Sequence, residues 1–553
     1  MKQRILFLVP PHNTYEYFTN PADDVRQNKK YDGKFYGNLP TDMPLGILSM
    51  SSYLKKFVNI DVDLIDFNIE LGELKRFNYD SFYKYFNDFL SNHKLKYLDY
   101  NYIGITALFT PSFYSLIDLG NISRKLYPNS IIIAGGSVPT TMYKMVFSHT
   151  NINTFNALCF GEGEKPILEL IQSTNKIDYL ENNLSWITLK KIMQSKNSIY
   201  QQNFIQDLDE IPFYDYDLCN FKRYGINPAI SAYAPADTSN NNFHVMTSRG
   251  CPFKCAFCAS HKVHGRSMRY FSMNRVKEDF KKLKEKYNAT TFIFQDDHLM
   301  GDKKRALDII KYVGKLKVPA IFQNGLAVYA LDREMLQAIK NSGCSHLVLP
   351  VESGSDRVLK EVMHKPLNLS IVSRVVKDCK DLDIYVSVNI LIGMPGETKD
   401  DIEDARKYLK TVGANWFIVL IASPLIGSEM YDICDTNDYL LEDNVVGSDY
   451  KKAIVETEDF EAKYIQEKMY LMNLELNFVE NSDMKNKKYK VALASFNNVI
   501  KAKSDHAIAY YYASICHKEL NNQKISEEYY LKALEYSKTE FWIPFFKYFN
   551  IPI

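Results

Sequence analysis

No apolar run in this chain approaches the roughly 18 residues that a membrane-spanning helix needs, so no span is expected. The start, Met1-Lys-Gln-Arg-Ile-Leu-Phe-Leu-Val9, imitates a signal peptide but stops at Pro10-Pro11, short of the roughly 7–15 apolar residues of an h-region. It reads as a buried first strand. An excess of one charge is also missing: 67 Lys plus Arg stand against 66 Asp plus Glu. No bulk field favours nucleic acid or an anionic membrane, and nucleic acid is not an expected partner. Cysteine is scarce, nine in 553 residues, and only Cys251, Cys255 and Cys258 are clustered. That excludes a disulfide framework and suits a reducing cytoplasm. Cys159, Cys219, Cys344, Cys379, Cys434 and Cys516 read as small buried hydrophobes. What is present is an ordinary globular balance, 46% hydrophobic and 24% charged, with enough apolar material for more than one core.

Strand and helix patterns alternate over residues 1–175. Residues 5–9, 62–65, 102–106 and 130–134 read as strands, 44–56 and about 112–126 as helices, and a last unit runs from Ala157 to Ile171. This alternation predicts an α/β, doubly wound, Rossmann-like domain with ligands outside the carboxyl ends of its strands. Residues 176–235 are irregular and polar and read as a connector. Alternation restarts over 236–440, with strands at 243–248, 291–295, 320–323, 346–351, 385–392 and 416–421. Asp332 and Thr398-Lys-Asp-Asp401 supply helix N-cap signals. Six such units predict a partial (β/α)6 barrel whose reactive groups sit at the strand carboxyl ends. Strand patterns vanish over 441–553, an all-α region. There Tyr510, Ala513, Tyr529, Ala533 and Leu534 take tetratricopeptide-like positions. It reads either as a helical cap over the barrel or as a protein-docking module.

Ser248-Arg-Gly-Cys-Pro-Phe-Lys-Cys-Ala-Phe-Cys258 puts three thiols on one loop after a strand. Thiolates are the usual iron–sulfur ligands, and three of them leave one iron of a [4Fe–4S] cluster open. The same cysteines with His261 or His264 would also make a closed three-cysteine, one-histidine zinc site. On the cysteines alone both readings stand, the second as a zinc-stapled, non-catalytic binding protein.

This spacing, with aromatic Phe257 before the third cysteine, resembles the radical S-adenosylmethionine (SAM) enzymes, and the resemblance extends over about residues 240–430. It implies a cluster on Cys251, Cys255 and Cys258, with Phe257 near the adenine of SAM. Phe294-Gln-Asp-Asp297 looks like the amino-group site, through Asp296 or Asp297. Glu352 and Ser353 in Val351-Glu-Ser-Gly354 look like the ribose and methionine contacts. Asn389 and Gly393, the latter opening Gly393-Met-Pro-Gly-Glu397, look like the fifth-strand motif. Ile421, before Ala422-Ser-Pro-Leu-Ile-Gly427, would flank the adenine. Singly these are also ordinary turn and cap residues; their order, each at an expected strand end, carries the resemblance. It further implies a flavodoxin- or ferredoxin-type electron donor.

The first domain is similar to that of the cobalamin-binding subfamily, through Pro44-Leu-Gly-Ile47, Ile103-Gly-Ile-Thr-Ala107, Ala134-Gly-Gly-Ser-Val138 and Phe160-Gly-Glu-Gly-Glu164. The implied cobalamin contacts are Thr106, Ala107, Leu108, Gly135, Gly136, Ser137, Gly161 and Glu162. Glycines at strand ends let backbone approach a large flat ligand, though strand-to-helix turns use them too. One departure stands out: His12 lacks the Asp two before it and the Gly three after it of the Asp-x-His-x-x-Gly cobalt-ligand motif, and reads as a loop residue. The resemblance implies a C-methyltransferase acting on an unactivated carbon through a 5′-deoxyadenosyl radical and methylcobalamin. The alternative with the same cofactors is a radical rearrangement or oxidative cyclisation without methyl transfer. The substrate is expected to be a small molecule or peptide, and the C-terminal helices are a candidate partner surface. No acid or base is assigned; His298, beside Asp297, is a candidate active-site group.

Overall fold

The computed structural model describes residues 2–21, 28–31, 34–194, 199–225, 241–441, 445–447 and 451–552. Parts of the expected connector (195–198, 226–235) and of the expected helical region (442–444, 448–450, 553) lie outside the described residues.

The first strand is β1 (Gln3–Val9), followed by a small antiparallel hairpin of β2 (Asn28–Tyr31) and β3 (Lys34–Gly37) that the sequence pattern did not announce. Then come β4 (Ile60–Asp66), β5 (Tyr102–Thr106), β6 (Ile131–Gly135), β7 (Ala157–Cys159) and β8 (Trp186–Ile187). They form one sheet in the order β4-β1-β5-β6-β7-β8, parallel except for β8. β8 lies in the segment read as a connector, between helices Lys176–Asn182 and Leu189–Gln194. A two-residue strand carries no readable period, but its fully buried Trp186 anchors it to the sheet. β1 is apolar on both faces, as a central parallel strand must be. Its alternation is decisive: Leu6 and Leu8 enter a core rich in aromatics (Phe67, Phe82, Phe86), while Ile5, Phe7 and Val9 enter a second core. That second core runs without a break into the next domain.

The second domain is built from β9 (Asn242–Val245), β10 (Ser248–Arg249), β11 (Arg269–Tyr270), β12 (Thr291–Phe294), β13 (Ala320–Phe322), β14 (His346–Glu352), β15 (Tyr385–Ile392) and β16 (Trp416–Ile421). The expected first strand, 243–248, is split into β9 and β10, and β10 pairs antiparallel with β11 to bracket the cysteine loop. The six long strands come as two parallel halves, β13-β12-β9 and β14-β15-β16. Among the described residues no ladder joins β13 to β14. β14 carries Pro350, which has no N–H, and its register slips between Pro350 and Glu352.

The far edge of the second half is closed by a helix rather than a strand. Helix Ala462–Leu474 runs into a π turn, Glu475–Val479. Asn477 accepts from Phe417 N–H at 2.7 Å and donates to Phe417 C=O at 2.8 Å. Asn473 does the same at Val419, at 3.2 and 2.8 Å. Two side-chain amides thus satisfy backbone groups that a neighbouring strand would otherwise pair. Helices Tyr489–Ala502, Ala507–Glu519 and Gln523–Ser537 follow and share a third core with Trp416 of β16. Among the described residues no helix is long and apolar enough to cross a membrane.

Candidate functional site

The carboxyl ends of the second domain's strands open on a cleft of about 970 Å³, including space open to solvent. Cys251, Cys255 and Cys258 all line it, with Phe257. The loop that carries them can start only from glycine: Gly250 has φ +92°, and a Cβ there would sit 2.4 Å from Ser267 C=O. Cys258 N–H closes the loop on Cys255 C=O at 3.0 Å, and Ala256 N–H anchors it to Met363 C=O at 3.0 Å. Burial raises the Cys251 thiol and pushes Cys255 up to about 11. These thiolates therefore form readily only against a cation, as iron provides. Of the two histidines near the loop, His264 Nδ1 is committed to Glu162 Oε1 at 2.8 Å, while His261 lines the cysteine cleft. Three thiols on one wall of a roomy cleft fit a cluster with an open iron.

The two adjacent aspartates after β12 part company. Asp296 is buried beneath the cleft and accepts from Thr247 N–H (3.0 Å), Thr247 Oγ1 (2.7 Å) and Ser248 Oγ (2.6 Å). Arg305 packs behind it, donating to Thr247 C=O at 2.7 Å. Asp297 lines the cleft, and its Oδ2 has no hydrogen-bond partner. Only Asp297 is free to receive a ligand's ammonium; Asp296 holds the base of the cysteine hairpin.

Glu352 enters the cleft from the slip at the end of β14, with the left-handed φ of 71° that non-glycine residues adopt at a cost. Burial raises its carboxyl, offset by Lys365, whose Nζ lies 3.6 Å away. A carboxylate so thinly partnered suits ligand hydroxyls. Ser353 lies behind it and accepts from Ser355 N–H. Asn389 stands opposite Pro350 in the β14–β15 ladder, its Oδ1 unpartnered. Gly393 and Ile421 do not line the cleft. A Cβ on Gly393 would meet Ile465 at 2.9 Å, and Ile421 is buried at the end of β16. The cleft also holds Phe253, Asn324, Tyr329 and Lys365, which the sequence motifs did not single out. Asn324 follows β13, so the strand-end rule alone would have found it. His298 Nε2 lies 3.0 Å from Tyr329 Oη, and burial lowers its pKa.

Behind Gly393, Glu397 is fully buried. Its Oε2 accepts from Gly393 N–H (2.7 Å) and Met394 N–H (3.2 Å), while Oε1 has no partner. Burial pushes its carboxyl up to about 8. The folded protein therefore holds a proton here that the unfolded chain, at the ordinary 4.5, has lost. The stabilisation is complete below about 4.5 and fades as pH rises to about 8, at up to ~1.4 kcal/mol per pH unit. Urea midpoints measured from pH 5 to 9 should show this slope in the wild type and a flatter one in Glu397→Gln, which carries no titrating proton.

The first domain has its own cleft at the carboxyl ends of β5, β6 and β7, about 370 Å³ and mainly apolar. Thr106, Gly135, Gly136 and Gly161 line it, with Phe7, Met50 and Gly163. Gly136 has φ +96°, and a Cβ there would lie 2.6 Å from Ala107 C=O. A Cβ on Gly135 would by contrast make only an ordinary contact, 3.7 Å from Cys159 Cβ. Such a cradle fits a flat apolar group laid against backbone. Ala107 is buried and tied by backbone bonds to Gly135 and Val138; Ser137 begins a five-residue helix; Leu108 is exposed. Glu162 does not line the cleft: its carboxylate is taken by Arg249, Arg269 and His264. The same cleft-free position holds for His12, buried against Phe109, where burial lowers its imidazole to about 4.

Comparison with known proteins agrees with this geometry. Residues 245–409 match the family model described as the radical SAM superfamily. An uncharacterized methyltransferase of Pyrococcus horikoshii is 27% identical over 350 residues, 63% of this chain and 72% of the relative. Cytidylyl-2-hydroxyethylphosphonate methyltransferase of Streptomyces wedmorensis is 25% identical over 380 residues, 64% and 70% of the two chains. Among solved structures, the cobalamin-dependent SAM radical enzyme OxsB, with aqua-cobalamin and SAM bound, superposes with a TM-score of 0.60. That match covers 99% of this chain and 80% of the other at 13% identity, a likeness of fold.

Proposed function

We propose that this chain, which carries a radical SAM domain over residues 245–409, is a cobalamin-dependent methyltransferase acting on an unactivated carbon. The observation that carries the reading is the pairing of two clefts at strand carboxyl ends, one walled by three thiols and one by glycine backbone, in domains fused by a shared core. The names of its relatives support the same reading: methyl transfer for the Streptomyces enzyme, and cobalamin with SAM for the OxsB structure.

When bound, the cluster and SAM supply the hydrogen-abstracting radical, and cobalamin carries the methyl group. This chain's part is to hold and exclude. Cys251, Cys255 and Cys258 anchor the cluster. Phe257, Asp297 and Glu352 orient SAM, with Asp297 as the amino-group acceptor; Ser353, Asn389, Gly393 and Ile421 lie outside the cleft lining. Thr106, Gly135, Gly136 and Gly161 admit the cobalamin tail. His298 and Tyr329, hydrogen-bonded to each other, face the same cleft as the cysteines and offer a polar pair to a substrate there. The substrate is a small molecule or peptide, the reductant a flavodoxin or ferredoxin, and the compartment the cytoplasm. The helical region over 441–553 is tetratricopeptide-like and serves as a cap or docking surface.

Anaerobic incubation with methyl-labelled SAM, a reductant and candidate substrates tests the reading. The expected result is labelled product with both S-adenosylhomocysteine and 5′-deoxyadenosine. Formation of 5′-deoxyadenosine alone would replace methyl transfer by rearrangement or cyclisation. A colourless protein that retains zinc after reconstitution would overturn the enzyme altogether.

A further inference from the structure

Glu162 sits between two residues that line the glycine cleft, Gly161 and Gly163, yet its carboxylate faces the barrel. Arg249 Nη1 lies 3.0 Å from Glu162 Oε2, Arg269 Nη1 2.9 Å from the same oxygen, and Arg269 Nη2 2.6 Å from Oε1. His264 Nδ1 adds a contact at 2.8 Å. The other end of Arg249 reaches Glu164 at 2.7 Å and Ser49 Oγ at 3.1 Å. Glu162, Glu164, Arg249 and Arg269 are each under a tenth exposed, so this is a desolvated charge lattice in which losing a partner is costly.

Its placement matters more than its strength. Arg249 and Arg269 face each other in the β10–β11 ladder. These are the two strands that begin and end the segment holding all three cluster cysteines, and Arg249 stands two residues before Cys251. Backbone repeats the connection: a Cβ on Gly161 would lie 3.3 Å from Val263 C=O, and His261, two residues before Val263, lines the cysteine cleft. One carboxylate therefore shares a loop with the wall of one cleft and is ion-paired to the hairpin that shapes the other.

We propose that Glu162 is a positioning residue that couples the two cofactor sites, so that filling the glycine cleft with cobalamin tightens SAM binding at the cysteine cleft, and the reverse. The inference rests on the cofactor assignment above. Immobilising loop 161–164 immobilises Glu162, and Glu162 can hold Arg249 and Arg269 in only one geometry. The hairpin is then set before SAM arrives. Linkage requires the effect to be mutual.

The test is SAM affinity of the anaerobically reconstituted full chain, by equilibrium binding, with and without saturating hydroxocobalamin. It is run for wild type, Glu162→Gln and the milder His264→Gln, which removes a single contact at the lattice edge. The ratio of the two affinities is the readout, because a residue that only stabilises the fold changes both affinities and leaves their ratio alone. Cobalamin should tighten SAM binding by about fivefold or more in the wild type, by less than about twofold in Glu162→Gln, and by an intermediate factor in His264→Gln. An unchanged ratio in the variants overturns the proposal. A wild type that binds both cofactors independently also overturns it, while leaving the methyltransferase reading intact. A wild type that takes up no cobalamin overturns both. If Glu162→Gln does not fold, His264→Gln decides.

Discussion

Replacing Cys258 by alanine abolishes SAM cleavage and leaves the fold standing. The thiol lines the cleft rather than a core, and its one polar neighbour is Ser260 Oγ at 3.3 Å. Its removal costs the folded chain at most about 0.5 kcal/mol, as for substitutions away from packed features. Its loss from the cluster cannot be made good. The other six cysteines are buried elsewhere, the nearby His264 is committed to Glu162, and the one other histidine close by, His261, is an imidazole rather than a thiolate. After anaerobic reconstitution the variant should lack the broad absorption near ~400 nm of a [4Fe–4S] protein and form no 5′-deoxyadenosine. Its urea midpoint should match that of the wild type. Cys434→Ala is the control in the opposite sense. That thiol is fully buried, so its loss lowers the midpoint while cluster and cleavage persist. A Cys258→Ala protein that still cleaves SAM would remove the three-thiol assignment.

Asp296→Ala and Asp297→Ala should fail in different ways, although the residues are neighbours. Asp296 accepts from three donors, Thr247 N–H, Thr247 Oγ1 and Ser248 Oγ, and Arg305 is buried behind it. Deleting it leaves those buried donors without an acceptor, a loss of about 1–3 kcal/mol for each donor left unsatisfied. The midpoint should collapse, and cluster loading with it, because Thr247 and Ser248 lead directly into the cysteine loop. Asp297 has an oxygen with no partner, so its removal should move stability by no more than about 0.5 kcal/mol. SAM binding should be lost with the cluster still in place. Urea titration together with SAM binding of the reconstituted variants separates the two. The reverse pattern would exchange their roles.

This pair also marks where reading the chain stops. The cysteine loop and the strand-end motifs are local signals, and the strands that present them stand within a few residues of their expected positions. Which of two consecutive aspartates turns inward is decided by Arg305, on a helix reached only after the chain leaves β12, and by Thr247, 49 residues earlier. Glu162 is a sharper case. A Gly-Glu-Gly turn at a strand end resembles a ligand loop, and its glycines do line the cleft. The glutamate's partner Arg269 lies 107 residues away, and no periodicity encodes that meeting. β8 was illegible because two residues have no alternation to read. The break between β13 and β14 was legible only in part. Pro350 stood in plain view as a residue unable to donate, but the slip beside it depends on how β15 aligns.

The two asparagines on the edge of β16 bear on where this protein can be divided. A chain cut at residue 440, where strand patterns end, would keep every barrel strand yet lose Asn473 and Asn477. Phe417 and Val419 would then offer unpaired amides along an apolar strand, a template for another molecule's strand. The helical region is in this sense part of the barrel's solubility, and an excised barrel would be expected to associate edge to edge. Any attempt to isolate the radical domain has to carry the helix through Val479 with it.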